Sequence, residues 1–256
     1  MITLKVVEIH IVSHCNLNCK SCDHFSPLAK KWEISIEEFE NTLNKLSYLC
    51  KIERLVLIGG EPLLHTNLIK LVELSYQYFP KSRIVIFTNA LLLKKQKMNF
   101  YQILKKYNVL IQITKYPIKF DYDSVIKIVT AIGIEVSVEN DYVDKDNWMQ
   151  YNLYWKENDD NEHKHCYPRD HLECIQVIDG KLFGCHLGAY SKYYNSYFGD
   201  NILNVESEDY FDLNGSMEEL DKYIKNFVKY GTQFCSYCQP ITKNTWEVSK
   251  RKKEEW

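Results

Sequence analysis

The stretch LKVVEIHIVSHCNLNCKSC, residues 4–22, joins an apolar, β-branched run to three closely spaced cysteines. Residues 4–12 have the composition of a buried β-strand, because β-branched side chains pack well on a pleated surface. Cys15, Cys19 and Cys22 then lie on the loop that directly follows this strand. The stretch therefore predicts a first strand with three thiols at its carboxyl end.

Four further short apolar runs follow, and helical patterns separate them. The predicted strands are residues 54–58, 83–87, 109–113 and 134–138, and the predicted helices are residues 35–49, 67–79, 96–107 and 122–132. Strict alternation of strand and helix with short connections predicts a parallel sheet wound right-handedly. Five units followed by a different kind of sequence indicate an α/β fold with a partial (β/α) barrel. We expect the active site beyond the carboxyl ends of its strands.

The composition changes after about residue 140, where the chain becomes rich in Tyr and Asn and contains five of the nine cysteines. We therefore predict a core domain over residues 1–140 and a second domain over residues 141–256. The second domain is expected to be a β-hairpin and helix subdomain.

Two segments of the second domain have a distinct local pattern. Asp179-Gly180 lies between the apolar runs 174–179 and 181–185, which predicts a tight hairpin. Residues 216–230 are typical of an amphipathic helix. The charged stretch SKRKKEEW, residues 249–256, is expected to be solvated.

The composition argues against several classes of function. A formal net charge of -2, with acids and bases spread along the chain, offers no basic surface for nucleic acid. The first residues lack the layout of a signal peptide, and no apolar run is long enough to cross a bilayer. We therefore expect a cytoplasmic protein without a membrane partner. Nine cysteines, an odd number, favour metal binding or catalysis over a disulfide framework.

The three early cysteines are suited to holding a metal centre. Thiolates select zinc or iron–sulfur clusters, and four ligands are usual for both. Three thiolates without an obvious fourth leave one iron of a cubane open to an exogenous chelate, whereas a structural zinc site would be closed. The alternatives are a zinc loop completed by His14 or His24, and buried cysteines that bind no metal.

With these cysteines after its first strand, the chain resembles the radical S-adenosylmethionine superfamily, whose signature is C-x3-C-x2-C at that place. The sequence after the second strand resembles the family's GGEP loop, and the sequence after the third resembles its TNG element, with Ala90 where glycine is usual. The resemblance implies a [4Fe-4S] cluster that binds S-adenosylmethionine. The residues that it implies for binding this cofactor are Gly59, Gly60, Glu61, Pro62, Thr88, Asn89, Thr114 and Lys115.

Two residues depart from the family's pattern. Ser21 stands where an aromatic side chain often packs near the adenine, and His14 replaces the commoner Thr or Arg before the first cysteine. Neither departure affects the three thiols.

The later cysteines resemble the shortened "twitch" form of the SPASM auxiliary-cluster domain. By that resemblance, a second [4Fe-4S] cluster is held by Cys166, Cys185, Cys235 and Cys238. Hairpin geometry alone favours Cys174 together with Cys185, because the two residues flank the same turn. A zinc ribbon built from Cys174 and the last three of these cysteines is the alternative. The fifth thiol, Cys174 or Cys166, is a candidate hydrogen donor.

The resemblance implies a radical enzyme that cleaves S-adenosylmethionine reductively to a 5'-deoxyadenosyl radical, which abstracts hydrogen from a small-molecule substrate. The chain is similar to short bacterial radical enzymes met beside surface-polysaccharide genes and to the butirosin-pathway aminocyclitol dehydrogenase. A sugar, aminocyclitol or nucleotide-sugar is the expected substrate, for dehydrogenation or epimerisation. An electron donor such as flavodoxin or ferredoxin is the expected partner. A peptide-modifying or enzyme-activating radical protein and a non-enzymatic zinc-binding module are the alternatives.

Further side chains are candidates with more than one interpretation. His65 is either a base or a residue that begins a helix, and Cys50 is expected in the core. The histidines near the second cysteine group are candidate ligands, bases or surface residues: His163, His165, His171 and His186. The aromatic residues that would suit stacking on a sugar ring are Tyr116, Trp148 and Trp155.

Overall fold

A computed structural model of the chain describes residues 1–139, 153, 166–238 and 245–256. Within them, the strands are β1 (Ile2–Val12), β2 (Cys50–Gly59), β3 (Arg83–Thr88), β4 (Leu110–Thr114), β5 (Glu135–Glu139), β6 (Ile175–Ile178), β7 (Lys181–Phe183) and β8 (Tyr210–Asp212). The helices are α1 (Ile36–Leu49), α2 (Leu68–Tyr78), α3 (Met98–Lys106), α4 (Tyr122–Ala131), α5 (Tyr167–His171), α6 (His186–Phe198) and α7 (Met217–Tyr230).

The first five strands form a parallel sheet in the order of the sequence, and helices α1 to α4 connect them. The first helix begins at a capping box, in which Ser35 accepts from the Glu38 amide and the Glu38 carboxylate accepts from the Ser35 amide. Apolar residues of the strands and helices, such as Leu55 and Leu43, share one fully buried core. The predicted α/β class and the alternation of strand and helix are confirmed.

The sheet continues on the other side of β1. Strand β6 pairs with β1 in parallel, with Glu8 opposite Gln176, and β7 and β8 then add antiparallel strands. The turn between β6 and β7 is Asp179-Gly180, and both residues have positive φ, 52° and 70°, as a type I′ hairpin requires. The predicted hairpin is therefore confirmed, but its first strand belongs to the same sheet as the parallel strands.

One sheet thus runs across the predicted boundary between the domains. Its strand order is β5-β4-β3-β2-β1-β6-β7-β8. The boundary itself, at residue 140, lies outside the described residues. Of the described helices, none combines the length and the apolar character that crossing a bilayer requires.

Residues 245–256, which we call the strap, lie across the cysteine loop. Asn18 exchanges two hydrogen bonds with the Ser249 backbone, of 2.8 and 2.9 Å, and the Lys20 amide donates to the Glu247 carbonyl. The Trp256 indole is only 4% exposed and donates to the Cys22 carbonyl at 3.0 Å. The prediction that residues 249–256 are solvated is wrong, because Ser249, Glu255 and Trp256 are buried. The exposed charged residues of this stretch are Lys250, Arg251, Lys252 and Glu254.

A second apolar cluster supports this arrangement. It is centred on Tyr190 and Tyr194 of α6, which are fully buried, and it includes Phe25 after the cysteine loop and Trp256 of the strap. The rings of Phe25 and Trp256 lie 5.9 Å apart. Helix α6 therefore packs against both the segment that follows the cysteine loop and the end of the strap.

Candidate metal and cofactor site

A cavity of about 310 Å³ opens at the carboxyl ends of the first four strands, where the sequence predicts the active site. Cys15, Cys19 and Cys22 line one side of it. Residues that follow β2, β3 and β4 line another: Gly59, Gly60, Glu61, Thr88, Asn89 and Thr114. The three early cysteines and most of the predicted cofactor-binding residues therefore surround one space.

The glycine pair after β2 allows the loops to approach one another. A Cβ atom at Gly59 would lie 2.2 Å from the Val12 carbonyl oxygen, and one at Gly60 would lie 2.2 Å from that of His14. The Gly60 amide donates to the Val12 carbonyl at 2.7 Å, and the Glu61 amide donates to the His14 carbonyl at 3.0 Å. The loop after β2 therefore fixes the start of the cysteine loop.

The Glu61 carboxylate joins the ends of β2 and β3. It accepts from the Thr88 hydroxyl at 2.6 Å, the Asn89 amide at 2.9 Å and the Leu63 amide at 3.1 Å. The side chain is buried, and burial raises the pKa of Glu61 to about 7, although the three hydrogen bonds act in the opposite direction.

Asn89 connects this carboxylate to the cysteines. Its side-chain amide donates to Oδ1 of the Asn16 side chain at 2.7 Å and lies 3.7 Å from the Cys15 sulfur. Burial, with the neighbouring charge of Glu61, raises the pKa of the Cys15 thiol. A thiolate in this place therefore needs a cationic partner, and three such thiols around one cavity fit a bound metal cluster.

The residues after β4 divide between the inside and the outside of the cavity. Thr114 and Tyr116 line it, whereas Lys115 is not among its lining residues, and the Lys115 ammonium lies 3.3 Å from the Asp123 carboxylate. Alternate residues of an extended chain point to opposite sides, which explains this division. Pro62 is buried in a short 3₁₀ turn and also stands outside the lining.

Of the two histidines considered for a zinc loop, only His24 belongs to a group of described residues whose ligand atoms could share one metal ion. Ligand atoms of Cys22, Asp23 and His24 all lie within 4.8 Å of one another, and His24 Nδ1 is 2.9 Å from Asp23 Oδ1. His14 Nε2 instead lies 3.9 Å from the Glu33 carboxylate. The trio of Cys22, Asp23 and His24 could hold a zinc ion if no cluster formed.

The later cysteines separate into a group of four and Cys174. Burial and the neighbouring Cys235 and Cys166 raise the pKa of Cys238 to about 12. Burial and the neighbouring Cys238 and Cys235 likewise raise the pKa of the Cys185 thiol. Cys174, in contrast, lines the cavity of the three early cysteines.

A buried polar network lies at the base of the cavity, on β1, β6 and α6. Glu8 is 2% exposed, accepts a hydrogen bond of 2.5 Å from the Gln176 amide and lies 3.6 Å from His186 Nε2. The Tyr190 hydroxyl donates to the carbonyl oxygen of Gln176. Burial alone would raise the pKa of Glu8, but the hydrogen bond and charge of His186 outweigh it and the pKa is lowered.

Glu8 was not among the candidates that the sequence supplied. The available signal is the acid itself, since Glu8 interrupts the apolar run LKVVEIHIV, where an unpaired charge would be costly. A buried carboxylate in such a run indicates either a buried partner or a ligand.

The remaining candidates are placed as follows. Both ring nitrogens of His65 are used, one with the Ile34 carbonyl and one with the Asn67 amide, so His65 is structural. Cys50 is buried in the main core, as predicted. His171 ends the short helix α5. Four candidates lie outside the described residues: Trp148, Trp155, His163 and His165.

Comparison with known proteins adds a domain match and a fold. Residues 6–127 match the family model described as a 4Fe-4S single cluster domain. This range contains all three early cysteines and the loops after β2, β3 and β4. The match confirms the prediction of a [4Fe-4S] cluster domain in the first half of the chain.

Two curated relatives match part of the chain. GTP 3',8-cyclase of Staphylococcus epidermidis is 32% identical over 114 residues, which are 41% of this chain and 33% of the relative. GTP 3',8-cyclase of Sulfurimonas denitrificans is 30% identical over 118 residues, 44% of this chain and 36% of the relative. The chain thus spans about a third of the length of these relatives.

Among solved structures, BtrN in complex with AdoMet and 2-DOIA has a TM-score of 0.57 at 19% identity. The superposition covers 97% of this chain and 98% of BtrN. At this identity the likeness concerns the fold alone, and it extends over both halves of the chain.

The fold and the cavity together define the class: a partial parallel barrel with a cysteine loop for an iron–sulfur cluster. The predicted resemblance to the radical S-adenosylmethionine superfamily is confirmed, for the fold along the chain and for the cluster domain over residues 6–127.

Proposed function

We propose that the chain is a radical enzyme whose Cys15, Cys19 and Cys22 hold a [4Fe-4S] cluster that binds S-adenosylmethionine. The observation that carries this proposal is the convergence of three thiols and the loops after β2, β3 and β4 around one cavity. When bound, such a cluster and its cofactor supply one-electron bond cleavage and hydrogen-atom abstraction. The residues of the chain bind, orient and enclose these groups.

Individual residues have distinct roles in this proposal. Glu61 and the backbone of Gly59 and Gly60 receive the amino group of the methionyl moiety. Asn89 holds the cysteine loop through Asn16. Thr88 and Thr114 complete the cofactor wall, whereas Lys115 and Pro62 act from outside the lining.

We assign the second cluster to Cys166, Cys185, Cys235 and Cys238. Neighbouring thiols of this set help to raise the pKa of Cys166, Cys185 and Cys238, which supports the assignment. The position of Cys174 at the other cavity argues against a zinc ribbon that includes it. Cys174 is then the candidate hydrogen donor, and the core and auxiliary domains keep their predicted ranges, 1–140 and 141–256.

The proposed substrate is a small molecule, a sugar, aminocyclitol or nucleotide-sugar, which the enzyme dehydrogenates or epimerises. The likeness of fold to BtrN, whose structure was solved with 2-DOIA, supports this choice. An electron donor such as flavodoxin or ferredoxin remains the predicted partner. No observation on the described residues favours the peptide-modifying alternative.

The test is metal analysis and 5'-deoxyadenosine formation by anaerobically reconstituted protein and four cysteine variants. Two four-iron clusters correspond to about eight irons per chain. Cys19→Ser should abolish 5'-deoxyadenosine formation and remove about four irons, whereas the core variant Cys50→Ser should change neither. Cys235→Ser should also remove about four irons, and Cys174→Ser should remove none.

Three results would overturn these assignments. Zinc in place of iron would favour the Cys22, Asp23 and His24 trio as a structural zinc site. Retention of 5'-deoxyadenosine formation by Cys19→Ser would refute the radical cluster. Loss of iron from Cys174→Ser would refute the ligand set of the second cluster.

With a converted substrate in deuterated water, epimerisation adds one deuterium and dehydrogenation gives a ketone.

A further inference from the structure

Three polar atoms at the base of the cavity have no hydrogen-bond partner. They are His24 Nε2, Ser26 Oγ and His186 Nδ1, and each belongs to a cavity-lining residue that is only 8% exposed. Buried polar atoms are nearly always paired in folded proteins. Three unpaired atoms around one cavity therefore indicate a ligand with several hydrogen-bonding groups, such as a polyhydroxylated ring.

The charges of the same lining select among such ligands. The described residues that line the cavity include the carboxylates Glu8, Asp23 and Glu61 and neither lysine nor arginine. A phosphate or diphosphate would meet these acidic groups there, without the guanidinium or ammonium groups that usually bind it. A protonated amine would meet opposite charges.

Of the three carboxylates, Glu8 is the one best placed for a substrate, because only its Oε2 atom faces Gln176 and His186, and a carboxylate has a second oxygen that can accept. Glu61 is already held by three donors from the loops after β2 and β3. Asp23 is held by His24, beside Cys22. Glu8 lies on β1, on the wall shared with His186 and Cys174, away from the cofactor loops.

We propose that Glu8 anchors a protonated amine of the substrate, and that His24, Ser26 and His186 bind neighbouring hydroxyl groups. The substrate class is thus an amino-bearing, polyhydroxylated ring, an amino sugar or aminocyclitol, rather than a nucleotide-sugar. This inference rests on the proposed function and assigns the substrate side of the same cavity. It places the ring beside the Cys174 thiol, which lines the same wall.

The test measures 5'-deoxyadenosine formation by the intact, reconstituted enzyme with paired probes. Amino sugars and aminocyclitols are each compared with their N-acetyl derivatives, and UDP-glucose and UDP-N-acetylglucosamine represent the diphosphates. We expect at least one free amine to stimulate formation tenfold or more over the rate without probe, and its N-acetyl partner and the diphosphates to have no such effect. Stimulation by a diphosphate, or by no free amine, would overturn the proposal.

The rate without any probe separates this inference from the proposed function. If S-adenosylmethionine is not cleaved at all, the proposed function fails. If it is cleaved but amines do not stimulate the reaction, only the substrate assignment fails.

A variant tests the role of Glu8 itself. Glu8→Gln has nearly the same volume but no charge, and we expect the preference for the free amine over its N-acetyl partner, as the ratio of kcat/KM, to fall at least tenfold. Glu53→Gln changes an exposed glutamate of the neighbouring strand and should keep the ratio. If Glu8→Gln does not fold, Glu8→Asp keeps the charge and should retain the preference. An unchanged ratio in Glu8→Gln would refute the role of Glu8.

Discussion

Among single residues, Glu61 combines a stabilising feature, its hydrogen bonds, with a destabilising one, its burial. Its carboxylate ties together the loops after β2 and β3, but it does so without exposure to water. The buried charge is costly, which is why the pKa of Glu61 rises. A bound ammonium group beside it would relieve this cost.

The pKa of Glu61 gives a prediction about the metal-free protein. Because folding raises it from 4.5 to about 7, this group contributes stability below pH 4.5, and the contribution is lost as the pH rises through 7. The loss corresponds to about 3 kcal/mol of unfolding free energy. We expect Glu61→Gln to remove this part of the pH dependence, as measured by urea unfolding across that range. The exposed control Glu53→Gln should keep it, and parallel profiles for Glu61→Gln and the native protein would contradict the prediction.

The sequence predicted the cofactor side of the site better than the substrate side. The thiols, Glu61 and Asn89 belong to local motifs at strand ends, which the sequence displays directly. Lys115 belongs to the same pattern, yet alternation along the chain turns it toward Asp123. Glu8 has no motif, because its partners come from β6 and α6, more than 160 residues later along the chain.

At the scale of elements, the strap is the part whose role is least expected from its composition. It combines backbone pairing at Asn18 and Lys20 with one indole hydrogen bond at Cys22. The strap therefore holds both chain neighbours of Cys19, and it holds Cys22 itself. We infer that the strap restricts the conformations of the cysteine loop before any metal binds.

Two tryptophans of the strap allow this inference to be tested. Trp256→Phe keeps an aromatic ring against Phe25 but leaves the Cys22 carbonyl without its donor, which should cost about 1 kcal/mol of stability. It should also lower the iron retained by the first cluster. Trp246 Nε1 has no hydrogen-bond partner, so Trp246→Phe is a matched control that should lose neither stability nor iron.

Thermal unfolding and iron content after gel filtration measure both effects. Equal unfolding temperatures and equal iron contents of Trp256→Phe and Trp246→Phe would mean that the indole hydrogen bond does not hold the loop.

Helices and strands whose sequence pattern is local were predicted, and those without such a pattern were not. The hairpin was predicted because Asp179-Gly180 alone specifies its turn, and α7 because residues 216–230 have an amphipathic pattern. The structure adds a capping box of Ser216 and Glu219 at the start of α7. Helix α6 was missed. It begins at Cys185 without a side-chain cap, and it is rich in tyrosines that favour strands as readily as helices.

At the scale of the whole molecule, β1 connects the two halves of the chain. It pairs with β2 on one side and with β6 on the other, so the early and the later cysteines are attached to the same sheet. The sequence predicted the five parallel strands but not this sixth parallel partner. Parallel pairing across such a separation leaves no local signal, because the partner of β1 is chosen by the packing of the whole chain.

The central position of β1 bears on where the molecule can be divided. The cluster-domain match ends at residue 127, which suggests a self-sufficient unit, yet a fragment of residues 1–139 would expose the β1 backbone that β6 normally covers. Uncovered strand backbone invites pairing between molecules. We expect this fragment to self-associate more than the full chain on light scattering, and a monomeric fragment with cooperative unfolding would contradict this. The change of composition near residue 140 therefore does not mark a place where the fold divides. A transplant of the cysteine loop into another protein would need the later half of the chain as well.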